Sequence, residues 1–274
     1  MKFHPLNPTL DVVAFNQAEA TIHHAAQFLA MVGKNYIEQQ PDDSNTNLAW
    51  NEATQRIEGR RIDLHYLSFH LPSFSLKWMD DEQESASLTL HGQSKSALYD
   101  WLKGQLENHG QDPSKLKYVD HYEIPPHPID DGEPLSKPSE DLLTEWMNQR
   151  NNANQMMAFL NEAVGVESEI RIWPHHFDTG TYYAFGDTKA IGAGWAMVDN
   201  LRSAPYLYIY PWEQDRTITF SDATQLTKGT WLVDGWTGAV LDLSDISNAS
   251  DPGSITETFI HEVVIHFKSI LNLS

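Results

Sequence analysis

Two adjacent histidines and an aspartate, His175, His176 and Asp178, stand inside the run Trp173-Pro174-His175-His176-Phe177-Asp178. An imidazole beside a carboxylate is the minimum equipment for acid–base chemistry, and the same groups supply part of a metal site. Pro174 lacks a backbone N–H and biases its predecessor toward extended backbone, so strand pairing should end here and the next side chains should leave the sheet. Neighbouring side chains of an extended segment point to opposite faces, so at most one of the two histidines can pair with Asp178. The expected catalytic groups are Asp178, as base or polar anchor, and His176. Spacing supplies no third metal ligand, so no metal is assigned and no particular cofactor is indicated. The competing reading has Asp178 capping loop amides in an Asx turn, with the histidines half-buried among aromatic rings.

These residues need rigid neighbours. Ile170 and Ile172 read as a strand before the loop; Gly180 then turns the chain into an aromatic strand with Tyr182, Tyr183 and Phe185. Ile191–Asp199 and Pro205–Trp212 read as further strands. The second carries Tyr206, Tyr208 and Tyr210 on one side with Leu207 and Ile209 on the other, as expected of a strand covered on both faces. Trp231–Trp236 and Ala239–Leu243 form a last hairpin. The ligand-lining set expected from this grouping is Trp173, His175, Phe177, Trp195, Tyr208 and Tyr210. The alternative is that these rings are core.

Elsewhere the chain alternates between helix and antiparallel strand. Thr9 or Asp11 caps a helix to about Ile37, with a stripe through Ala18, Ile22, Ala25, Leu29 and Val32. Glu19, His23 and Gln27, spaced by four, lie on a neighbouring face, which reads as a solvated flank, with a metal-binding Glu–His pair as the alternative. The strand from Ile62 leads into a hairpin of period two around Asp80–Glu82, and Ser94 or Ser96 caps a helix ending near Gly110. Prolines crowd residues 113–138, where Tyr118, Val119, Tyr122 and Ile124 should hold an extended connection against the body. Ser139 starts a second long helix to Val164, and Ser254 with Glu257 reads as the capping box of a terminal helix. The order helix, strands, helix appears twice, and Ile62–Pro72 shares apolar spacing with Ile170–Gly180. The expected architecture is α+β, with halves at 1–112 and 139–274 joined by 113–138 into one compact unit.

Composition removes whole function classes. The formal charge is −20 and no basic run interrupts it, which argues against nucleic acid or an anionic membrane surface as a partner. The chain has no cysteine, so disulfides, thiolate nucleophiles and Cys-ligated metals are excluded. No apolar run approaches the ~18 residues of a membrane span, and a cytoplasmic location is expected. His261 and His266 in HEVVIH are five apart, whereas the zinc-protease helix needs four. A nucleophile elbow and a P-loop are absent, and Gly192–Gly194 lacks the third glycine of a dinucleotide fingerprint. What remains is binding of a small-molecule ligand or chemistry upon it, with a non-catalytic interaction protein of acidic surface as the alternative.

The series IRIWPHHFDTGTYYAF, GAGW (Gly192–Trp195) and APYLYIYPW (Ala204–Trp212) resembles an uncharacterised bacterial family, a domain of unknown function. That family carries a Phe-Asp turn, a Gly-and-Trp segment and a Pro-Tyr-x-Tyr-x-Tyr-Pro strand in this order. The early helix with Val32, Gly33 and Lys34 and the Pro-rich Ile124–Pro134 fall in matching places, so the resemblance spans most of the chain. It implies interest in Phe177, Asp178, Gly194, Trp195, Tyr208, Tyr210 and Pro211, but no activity. The family pattern does not require histidine at 175 or 176, which weakens a metal reading built on them.

Overall fold

The structure is a computed structural model that describes residues 1–118, 122–220 and 223–273. Val119 therefore lies outside the described residues. The fold is α+β, with five α-helices and two antiparallel sheets among the described residues. Packing divides the chain into two compact units: residues 13–147 with 172–177, and residues 1–12 with 148–171 and 178–274. The division falls within a helix, between Met147 and Asn148. Among the described residues no helix is long and apolar enough to cross a membrane.

The first unit is built on helix α1 (Val12–Tyr36), whose residues Ile22, Ala25, Ala26, Leu29 and Val32 are fully buried. Five strands follow: β1 (Ala49–Asn51), β2 (Arg56–Glu58), β3 (His65–His70), β4 (Ser75–Asp80) and β5 (Gln83–Thr89). They pair in chain order as an antiparallel meander. Leu67 faces Trp78 and Phe69 faces Leu76 across β3 and β4, which fixes the register by apolar pairing. Helix α2 (Lys95–Asn108) starts at Ser94, whose hydroxyl accepts the Ala97 amide. Leu98, Leu102 and Leu106 are its buried stripe. The Pro-rich segment is not simply extended, because Pro113–Lys115 and Pro128–Asp131 form short 3-10 turns.

Helix α3 (Glu140–Val164) begins with two acidic residues, as its dipole favours, and ends at Gly165 with φ +76°. Strand β6 (Arg171–Ile172) follows, and Ile172 exchanges two backbone hydrogen bonds with Leu48. The second sheet adds β7 (Thr179–Ala184), β8 (Lys189–Ala196), β9 (Tyr206–Glu213), β10 (Thr230–Leu232) and β11 (Gly238–Asp242), in the order β10-β11-β9-β8-β7-β6. One face of this sheet, with Tyr183, Ile191, Ala193, Trp195, Leu207 and Ile209, is in the same hydrophobic core as residues of α3. Short helix α4 (Leu243–Ser247) and terminal helix α5 (Pro252–Ile270) complete the unit, with Phe259, Val263 and Phe267 in that core. The cap of α5 is Asp251, which accepts the Ser254 amide and precedes Pro252. Ser254 thus lies one turn inside the helix, and the capping box expected from Ser254 and Glu257 is corrected to an Asp-Pro start.

Candidate functional site

The loop after β6 behaves as its proline demands. Residues 174–176 form a turn, and the Phe177 amide donates to the Trp173 carbonyl at 2.7 Å. That closure puts Phe177 in the left-handed region, at φ +57°, where a residue with a side chain is strained. Packing holds it there. The Phe177 ring stacks on His23 at 4.6 Å between centroids and lies 6.0 Å from Trp146.

The Pro174 carbonyl receives two donors from α1, His23 Nε2 at 2.7 Å and Gln27 Nε2 at 2.8 Å. Tyr122 donates to Gln27 Oε1, and the Trp146 indole donates to Glu19. The expectation of a solvated flank for Glu19, His23 and Gln27 is therefore corrected: each is only 2% exposed. A buried polar face needs partners, and here they include a loop carbonyl, a phenol and an indole. Trp173 and His175 are half-buried; the His175 ring packs near Trp173 and Tyr122 and lies 4.4 Å from the His176 ring, which is exposed.

Asp178 opens the second unit's share of this run and is only 5% exposed. The phenol of Tyr208 donates to its Oδ2. The next residue, Thr179, receives a hydrogen bond at 2.9 Å from Arg150, itself 1% exposed, so β7 is pinned at its first residue. Burial and the nearby Asp178 carboxylate push the Tyr208 hydroxyl well up from its ordinary pKa, so it stays a proton donor. Tyr206, which donates to Asp199 at 2.7 Å, is also pushed up by burial and that hydrogen bond. Burial raises Tyr210 to about 12.

What lets these tyrosines lie on the sheet is the small-residue side of β8. Its core-facing residues are Ile191, Ala193 and Trp195, while Ala190, Gly192, Gly194 and Ala196 point the other way. Gly192 sits directly opposite Tyr210 and Gly194 opposite Tyr208. A Cβ on Gly192 would fall among the ring atoms of Tyr210, and one on Gly194 would come within 2.6 Å of the Tyr208 hydroxyl oxygen. A third ring, Trp236, covers Gly238 in the same way. Pro211 is tolerated in β9 because β11 pairs with that strand only as far as Ile209, leaving one side of the strand open beyond it. A cleft of about 240 Å³ in this unit is lined by Asn7, Leu10, Ser203, Ser247 and the Arg202–Asp242 pair.

Comparison of the chain with protein-family models, curated proteins and solved structures finds no match. The reading of this site therefore stands on its geometry.

Of the ligand-lining residues expected from sequence, Tyr208 and Tyr210 share one face and Asp178 is tied to it. Trp195 is on the opposite face, 2% exposed within the core, because alternation along β8 groups it with Ile191 and Ala193. Sequence reasoning missed Trp236, Gly192 and Gly238, although the alternation of large and small residues through IGAGWA was a visible signal. Among the described residues, no group of three or more His, Asp or Glu side chains is arranged to hold a metal ion.

Proposed function

We propose that this protein binds a small organic molecule on the tyrosine-bearing face of its second sheet, with Asp178 as the polar anchor and Tyr208 as the group that orients it. One observation carries the reading: a buried carboxylate accepts a hydrogen bond from a phenol beside a recess that glycines leave for half-buried rings. Burying a carboxylate costs several kcal/mol, roughly, unless hydrogen bonds offset it, and proteins keep such groups most often where they are used. A donor–acceptor pair with a fixed direction and flat aromatic walls is the usual content of a small-molecule site.

The competing reading makes the Asp178–Tyr208 pair a structural lock, favoured by the adjacent Arg150–Thr179 hydrogen bond that already fixes the start of β7. Ligand-observed NMR with a fragment library, run on wild type and Asp178→Asn, separates the two. Fragments that lose binding in a variant whose melting temperature is nearly unchanged support the site. A large fall in melting temperature with no fragment affected refutes it and leaves the lock.

A further inference from the structure

Three rings on this face are disposed in a way that the binding of a generic small molecule does not require. The centroids of Tyr208, Tyr210 and Trp236 are 6.2 Å apart for every pair. The two phenol rings are inclined by 29°, while the indole stands at 89° to one and 61° to the other. They form a floor of two rings and a wall of one, and all three are half-buried. A point equidistant from the three centroids lies about 3.6 Å from each within their plane and farther away above it, inside the ~6 Å over which a ring face attracts a cation.

The charges around the rings have one dominant sign. Asp178 accepts from Tyr208, Asp199 accepts from Tyr206, and Tyr206 lies 6.2 Å from Tyr208 between centroids. Asp242, opposite Tyr206 in the sheet, is bonded by Arg202 at 2.7 Å, and the same guanidinium donates to the Leu201 carbonyl. The chain as a whole carries −20. Anions are repelled from such a face, and cations are drawn to it.

We propose that the ligand on this face is an organic cation, a quaternary or heavily substituted ammonium seated among Tyr208, Tyr210 and Trp236 with Asp178 as its counter-charge. The inference rests on the binding reading given above and adds the ligand's class. A primary ammonium carries three N–H donors and needs acceptors around it. Beyond Asp178 this corner offers ring faces, and the Tyr208 phenol is itself a donor to that carboxylate. An alkylated nitrogen has little or nothing to donate, spreads its charge over its methyl groups and meets ring faces without losing hydrogen bonds. A bare metal ion would want oxygen or nitrogen lone pairs, which three aromatic faces do not provide.

Choline and its neutral carbon isostere, neohexyl alcohol, differ in charge but hardly in shape. Titrating both into the full chain by isothermal calorimetry is the test, with Trp236→Ala, the ring-keeping Trp236→Phe and Tyr210→Phe alongside. Choline should bind wild type at least about ten-fold more tightly than the alcohol, lose that margin in Trp236→Ala and keep most of it in both ring-keeping variants. In wild type, its N-methyl protons should show nuclear Overhauser contacts to the Trp236 indole, a readout that needs no variant. Equal binding of choline and alcohol, lost in Trp236→Ala, overturns the cation class while leaving a ligand site on this face. Absence of choline binding alongside fragments that depend on Asp178 does the same. If neither choline nor any Asp178-dependent fragment binds, both the cation and the site are refuted.

Discussion

The ring of Tyr208 occupies the space that any side chain at position 194 would need. A Cβ there would lie 2.6 Å from the phenol oxygen and 2.8 Å from the ring carbon that bears it. The ring cannot swing aside without withdrawing its hydroxyl from Asp178. Gly194→Ala should therefore cost about 1–3 kcal/mol, through overpacking and the displaced hydrogen bond. The same substitution in a Tyr208→Ala background should cost markedly less, because the ring that it collides with is gone. A double-mutant cycle by urea denaturation measures the difference, and additive costs would show that the ring and glycine do not share that space.

Phe177 is held in a strained backbone conformation by the rings on either side of it, His23 and Trp146. Truncating it removes a fully buried ring and should cost about 3–5 kcal/mol. Phe177→Gly relieves the positive φ while losing the same packing, so it should be less damaging than Phe177→Ala. The reverse order of midpoints in thermal denaturation would mean that the backbone strain is not real.

The Pro174 carbonyl accepts from both His23 and Gln27, so the two donors are partly redundant. Either His23→Ala or Gln27→Ala alone leaves the carbonyl one partner, and each should cost about 1–2 kcal/mol. Removing both leaves a buried carbonyl that has lost these two donors, and the double variant should lose more than the sum of the singles. Limited proteolysis at the 173–177 loop and equilibrium denaturation together read the effect.

Much of this was visible before any coordinates. Period two gave β4, β5 and β9 their places, and the three-and-four stripe of α1 fell where its apolar residues put it. What stayed hidden depends on partners remote in the chain. Nothing local to Glu19, His23 and Gln27 says that a backbone carbonyl 151 residues beyond His23 will cover the last two, or an indole the first. Gly192 and Gly194 look like a failed nucleotide fingerprint in isolation; their meaning is lateral and appears only when β9 pairs beside β8 with Tyr208 and Tyr210 in register. Residue type suggests a lining ring for Trp195, while strand parity places it with Ile191 and Ala193 in the core. The Asp251-Pro252 start of α5 was in plain view, but a Ser-x-x-Glu pattern one turn later matched a stronger rule.

Gly33 tests a conflict of signs. It sits within α1, where alanine is favoured over glycine by about 1 kcal/mol. A Cβ there would collide with the Asn45 carbonyl oxygen and come within 3.1 Å of Thr46 Cα, both backbone atoms of a loop whose Asn45 side chain bonds back to the Gly33 carbonyl. Backbone cannot rotate away as a side-chain tip can. Overpacking of about 1–3 kcal/mol should therefore outweigh the propensity gain, and Gly33→Ala should lower the denaturation midpoint. A rise in midpoint would mean that the loop is not packed on the helix at this point.

The tyrosines of the second unit predict how stability depends on alkaline pH. Burial raises Tyr183 to about 12, with its hydroxyl bonded to Asn161 at 2.8 Å, and raises Tyr210 to about 12. Tyr206 and Tyr208 are raised further, by burial together with Asp199 and Asp178 respectively. An unfolded tyrosine loses its proton near pH ~10, so above that pH the folded state binds more protons than the unfolded one. The stabilisation is complete below pH ~10 and is lost as pH climbs from there through about 12. For fully buried Tyr183 the loss is on the order of 3 kcal/mol. A native-state absorbance titration of phenolate should show these four residues ionising after the exposed ones, and only as the protein unfolds. Asp178→Asn removes the charge that opposes ionisation of Tyr208 and should bring the late phase to lower pH. If all ten tyrosines titrate together near pH ~10 while the fold stays intact, these four tyrosines are not sheltered from solvent in solution.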